Sequence, residues 1–229
     1  MKKVSQSEHV VLIHGIWMTG LMLRHLGGIL SAEGFSVHYF NYHSVVQPPA
    51  LNARKLARFI RSIAAQRVHL VAHSLGGLVL LHLFDLFHDL PPGRVVLLGT
   101  PVLGSGVAIK MSTRALMSPL LGRSVERGLL GGSPPWRGER ELGTVVGTYN
   151  VGIGRLIGGL GDSGDGTVAV AETELPGAVD RVLLKAGHSG MLFSSAVAEE
   201  VAVFLREGHF SKSAERDSEV PLPRSDLEW

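Results

Sequence analysis

Cysteine is absent from the 229 residues of this chain. Its absence excludes disulfides, thiolate metal sites and a cysteine nucleophile, and it fits a reducing compartment. Charge is also scarce. Charged side chains make up 18% of the chain, and 22 basic against 20 acidic groups leave a formal net charge of +2. So even a balance argues against a nucleic-acid partner, and no basic stretch is interleaved with aromatics, which are only 6% of the residues. Long apolar runs are missing as well. None approaches the ~20 residues of a membrane-spanning helix, so no transmembrane segment is expected. Met1-Lys2-Lys3 has the charge that opens an export signal, but Ser5-Gln6-Ser7-Glu8-His9 stands where the apolar part of one belongs. The reading is therefore a cytoplasmic protein without a signal peptide. What the chain does have is 45% hydrophobic residues, enough at this length for one domain with a sizeable core.

The apolar residues alternate between two rhythms. His9-Val10-Val11-Leu12-Ile13 reads as a buried strand, followed by a helix from about Thr19 to Ser31. Ser36-Val37-His38-Tyr39-Phe40 is a second strand, and a loop from Asn41 closes at Pro48-Pro49. Leu56, Ala57, Phe59, Ile60 and Ile63 recur at helical spacing against a basic outer face of Lys55, Arg58 and Arg61. A further strand-and-helix unit and one more strand follow, with strands at Val68 onward and at Arg94-Val95-Val96-Leu97-Leu98; the helix between them is expected to reach about His88. This alternation predicts an α/β fold with a mostly parallel central sheet and helices on both faces. Right-handed crossovers put every strand's C-terminal end on one edge, where ligands bind.

The rhythm breaks at Gly99-Thr100-Pro101, and residues from about 103 to 142 read as a small helical cap inserted over that edge, without a core of its own. Thr144-Val145-Val146-Gly147-Thr148-Tyr149 resumes the sheet. A glycine-rich loop with Asp162 and Asp165 follows, then a last strand at Arg181-Val182-Leu183-Leu184 and a closing helix from Ser195 to Arg206. The domain is expected to span 1–210, with a polar, disordered tail over 211–229.

The chemistry centres on Val71-Ala72-His73-Ser74-Leu75-Gly76-Gly77. A buried strand turns here into an apolar helix, with small residues two before and two after the serine. That is the nucleophile-elbow pattern G-x-S-x-G with Ala72 in the first position. A serine needs a base within hydrogen-bond reach, and the base needs an orienting carboxylate. Both should come from later loops at the same edge. His188, in Gly187-His188-Ser189-Gly190, is the expected base, and Asp165, in Gly164-Asp165-Gly166-Thr167-Val168, the expected acid, ahead of Asp162 and of the weaker Asp89 and Glu172. His73 is expected to point away from this edge, and His14 to brace its loop. An oxyanion hole requires two backbone N–H groups. Leu75 supplies one, at the helix start, and Ile16, after Gly15, the other.

These stretches, with Leu12-Ile13-His14-Gly15 and Gly99-Thr100-Pro101, resemble the α/β-hydrolase superfamily and its small lipase/esterase-like branch. Ala72 in the first elbow position looks like the small Bacillus-type lipases. The resemblance implies an α/β-hydrolase fold and cleavage of small-molecule carboxylic esters through an acyl-enzyme, with Ser74, Asp165 and His188 as catalytic residues and no metal or organic cofactor. The missing export signal favours an esterase over a strict lipase. A thioesterase or acyltransferase would use the same residues, with Lys110, Arg114, Arg123 and Arg127 offered to an acidic acyl-carrier protein. A non-catalytic lipid- or partner-binding protein is the remaining alternative.

Overall fold

The computed structural model describes residues 8–152, 154, 157 and 163–211. Six strands are named: β1 (His9–Ile13), β2 (Ser36–Phe40), β3 (Val68–His73), β4 (Val95–Leu98), β5 (Leu142–Gly147) and β6 (Asp180–Leu184). They form one sheet in the order β2-β1-β3-β4-β5-β6, and every pairing is parallel. Among the described residues the α-helices given bounds are α1 (Arg24–Ala32), α2 (Pro49–Ser62), α3 (Leu75–Leu86), α4 (Gly106–Ser112), α5 (Ser118–Leu121) and α6 (Ser195–Glu207).

The two-residue period of a strand sorts the core into two layers. Val11, Ile13, Leu70, Ala72, Val95 and Leu97 face one way and pack with Leu56 and Ile60 of α2 and Leu78 of α3. Val10, Leu12, Val71, Val96, Leu98, Val145 and Val182 face the other way, onto Leu26 of α1 and Val201 and Phe204 of α6. A sheet buried on both faces explains why the strands read as continuous apolar runs.

Local boundaries shift from the sequence expectation for definite reasons. The first helix begins as a 3-10 turn over Gly20–Leu23 before α1. α2 starts at Pro49 itself, because proline's fixed φ suits the first helical position, where no N–H bond is needed. α3 ends at Leu86, with Phe87 already extended at φ −140°, and β5 spans Leu142–Gly147 rather than beginning at Thr144.

The β4–β5 connection carries α4, α5 and a 3-10 turn at Gly122–Val125. Its Val107, Ala108, Met111, Leu121 and Leu129 join the α2/α3-side core instead of building their own. Residues 212–229 of the expected tail, and Asp162, lie outside the described residues. Among the described residues no helix is long and apolar enough to cross a membrane.

Candidate active site

β3 ends at His73, and α3 begins at Leu75. One residue must make the whole change of direction, and Ser74 does so at φ 53°, ψ −122°. A non-glycine residue held there costs on the order of 1–3 kcal/mol, so the surroundings must hold the turn. The Ser74 N–H donates to the Leu98 carbonyl at 2.9 Å, and the Ser74 carbonyl accepts from Gly77 N–H at 2.9 Å. Gly76 lets α3 lie against the end of β1: a Cβ there would sit 2.7 Å from the His14 carbonyl oxygen. The small residue two positions after the serine is therefore a steric requirement.

Ser74, Asp165 and His188 meet at the C-terminal edge of the sheet. His188 Nε2 lies 3.0 Å from Ser74 Oγ, and His188 Nδ1 lies 2.7 Å from Asp165 Oδ2. An ionised carboxylate only accepts, so Nδ1 carries the proton toward Asp165, and Nε2 is left to accept from the serine hydroxyl. Asp165 is almost wholly buried. Its other oxygen accepts from the N–H groups of Thr167 at 3.0 Å and Val168 at 2.7 Å, which hold the carboxylate in one orientation. The loops are joined through the main chain too, His188 N–H donating to the Asp165 carbonyl at 2.8 Å. Gly99, at the end of β4 with φ +53°, clears the space: a Cβ there would lie 2.9 Å from Asp165 Oδ2.

Two neighbouring histidines are buried. His14 donates from Nδ1 to the Gly15 carbonyl at 2.8 Å and accepts from Tyr42 N–H at 3.3 Å. Its ring stacks on Tyr42. It braces its loop, as expected, and burial lowers its pKa. His73 departs from expectation. It does not point away from the edge: its Nε2–H donates to the His188 carbonyl at 2.9 Å, and its ring lies 4.6 Å from the His188 ring. Strand parity explains this. His73 continues the alternation of His69 and Val71 onto the α1/α6 side, and the loop leaving β6 folds over that side. Burial first, and then the neighbouring His188, hold the His73 pKa well below the usual imidazole value. The ring is therefore neutral.

A cavity of about 280 Å³ opens on Ser74 and His188. It is lined by Ile16, Trp17 and Met18 after β1, by Val107, Met111, Leu121 and Leu129 of the β4–β5 connection, and by Val168. Ile16 thus sits on the same cavity as the serine. Leu75 opens α3, where the first N–H groups have no intrahelical acceptor. The remaining acid candidates are elsewhere. Asp89 is exposed and paired with Arg61 at 2.7 Å. Glu172 accepts from Gly106 N–H at 2.7 Å and Ala169 N–H at 3.0 Å, fastening the start of α4 to the loop that carries Asp165. Of the basic residues in the β4–β5 connection, Arg123 pairs with Glu126 at 2.6 Å, and Arg114 donates to the Ile157 carbonyl at 3.1 Å. Among the described residues no group of three or more His, Asp or Glu is placed to hold a metal ion.

A doubly covered parallel sheet, with a serine on a strained strand-to-helix turn and a histidine and an aspartate on later loops of the same edge, defines the hydrolase class of α/β proteins. Residues 10–151 match the description of the Alpha/beta hydrolase family, and the chain belongs to that family. Solved structures agree on the fold. Phospholipase PlaB from Legionella pneumophila superposes with TM-score 0.58 at 18% identity, over 73% of this chain and 44% of its own, so this chain spans less than half of that protein's length. A bromoperoxidase from Bacillus anthracis gives 0.61 at 15% identity over 88% and 92% of the two chains. Carboxylesterase CesB from Bacillus subtilis gives 0.57 at 12% identity over 89% and 85%. No curated protein sequence matches the chain. At these identities the likeness is one of fold.

Proposed function

We propose that this protein hydrolyses carboxylic esters of small molecules through an acyl-enzyme. Ser74 Oγ attacks the ester carbonyl carbon and passes its proton to His188 Nε2. His188 returns that proton to the departing alcohol and then draws one from the water that releases the acid. Asp165 holds the ring orientation and stabilises the imidazolium. Backbone N–H groups of Ile16 and Leu75 receive the developing oxyanion. The observation that carries the reading is the bonded series from Ser74 Oγ through His188 to Asp165, opening on an apolar cavity. The phospholipase and carboxylesterase among the similar structures support ester chemistry, while the bromoperoxidase is a reminder that this fold hosts other reactions.

The cavity points to an uncharged acyl chain. Each methylene buried there is worth about 0.8 kcal/mol, or about fourfold in kcat/KM. Across p-nitrophenyl esters from acetate to palmitate, kcat/KM is expected to climb by about that factor per carbon until the cavity is filled, and then level off. A profile flat from acetate onward would contradict the assignment of this cavity to the acyl chain. No hydrolysis of any ester would contradict the function.

A further inference from the structure

The segment over the cavity, made of α4, the turn that follows it and α5, carries apolar residues both inward and outward. Inward, Val107, Ala108, Met111 and Leu121 are buried against the cavity and the core. Outward, Leu116 is 92% exposed, Leu120 53% and Ile109 49%. Trp17 extends the same surface: it is half exposed, and its indole N–H donates to the Leu120 carbonyl at 2.8 Å. A surface helix normally presents polar residues to water. An apolar cluster set among polar and basic groups marks an interaction face.

The charge of the segment selects the partner. Residues 103–132 hold four cations, Lys110, Arg114, Arg123 and Arg127, against one anion, Glu126, in a chain whose total is almost balanced. Arg123 is paired with Glu126; Arg114 and Arg127 donate to the carbonyls of Ile157 and Gly132, which neutralises neither charge, so with Lys110 the segment keeps three cations that no described carboxylate pairs. A second copy of the face would match the leucines but set like charges against each other. A nucleic acid would match the cations but leave the leucines in water. An anionic lipid headgroup layer over acyl chains matches both, and a tryptophan with an apolar body and one N–H belongs at that boundary. The helices, of seven and four residues, are far too short to span a bilayer, so the face lies on the membrane surface.

We propose that the outer face of the β4–β5 segment, with Trp17, docks the protein on an anionic phospholipid surface. If the ester-hydrolase reading also holds, on which this clause rests, the ester enters the cavity from the lipid side.

Co-sedimentation with vesicles tests this directly, using phosphatidylcholine mixed with phosphatidylglycerol and phosphatidylcholine alone. Wild type and Ser74→Ala are expected to bind the mixed vesicles equally, to bind the neutral ones more weakly, and to be released by salt. Leu116→Asp should weaken binding about tenfold or more, and Lys110→Ala about fivefold, both with an unchanged thermal transition. Absence of wild-type binding, or equal binding by Leu116→Asp, overturns the proposal. So does a wild-type dimer in sedimentation equilibrium that Leu116→Asp dissociates, because the leucines then face a second copy. Vesicle binding does not require Ser74, so the two readings fail separately. Activity on soluble esters without vesicle binding overturns the docking face alone. Vesicle binding by a protein inactive on every ester overturns the function alone.

Discussion

Ser74 sits in a backbone conformation that few side chains tolerate, and the residues around it account for its persistence. The residue before it has a second task. His73 links the loop carrying His188 to the turn carrying Ser74, through one hydrogen bond and one ring contact. Removing the N–H while keeping a ring isolates the bond. His73→Phe is expected to lower kcat about five- to a hundredfold, the range for one orphaned buried carbonyl, with KM little changed, and His73→Gln, which retains a donor, should recover part of the loss. An unaltered kcat in His73→Phe would show that the bond does not position His188. At this scale the sequence was informative where chemistry and topology coincide. That Ser74, Asp165 and His188 would meet at one edge was legible because the serine lies on a strand–helix junction and the other two lie on exit loops in glycine-rich surroundings. The elbow pattern alone turns His73 away from the edge, whereas the alternation through His69 and Val71 carries its actual direction.

The strands and main helices were legible as elements because apolar periodicity dictates them. Their ends were less so: the 3-10 start before α1 and the proline opening α2 depend on caps and turns that periodicity does not encode. The β4–β5 segment shows a different limit. Its helices could be anticipated from the loss of alternation, but not what anchors them. Glu172 bonds the N–H of Gly106, 66 residues away, and Trp17 bonds the carbonyl of Leu120, 103 residues away. Contacts this distant follow from packing and leave no local pattern. Each ties a wall of the cavity to a loop at its rim: Glu172 holds Gly106 of α4 to the loop of Asp165, and Trp17 holds Leu120 of α5 to the loop of Ile16.

The whole molecule has a consequence in acid. His14, His69, His73 and His82 are all buried, and burial lowers the pKa of each, that of His69 to about 4. In the unfolded chain an imidazole takes its proton near pH 6.5. Below that value the unfolded state binds more protons than the folded state, so stability falls with pH. The contribution is complete above about pH 6.5 and is lost on descent toward the folded values, about 4 for His69. Each buried imidazole costs up to about 1.4 kcal/mol per pH unit in that window. The melting temperature at pH 5 is therefore expected to lie roughly 5 °C or more below that at pH 7.5. A flat or rising melting temperature on acidification would show that these rings are not held neutral by the fold.

The central claim, that Ser74 is the nucleophile of an ester hydrolase, is tested most directly by treating wild type and Ser74→Ala with a fluorophosphonate, reading intact mass, and following p-nitrophenyl butyrate hydrolysis in the same samples. The expected result is a single adduct on wild type located at Ser74, none on Ser74→Ala, and a fall in hydrolysis of about a thousandfold or more with the fold retained by circular dichroism. Labelling or undiminished hydrolysis in Ser74→Ala would contradict it.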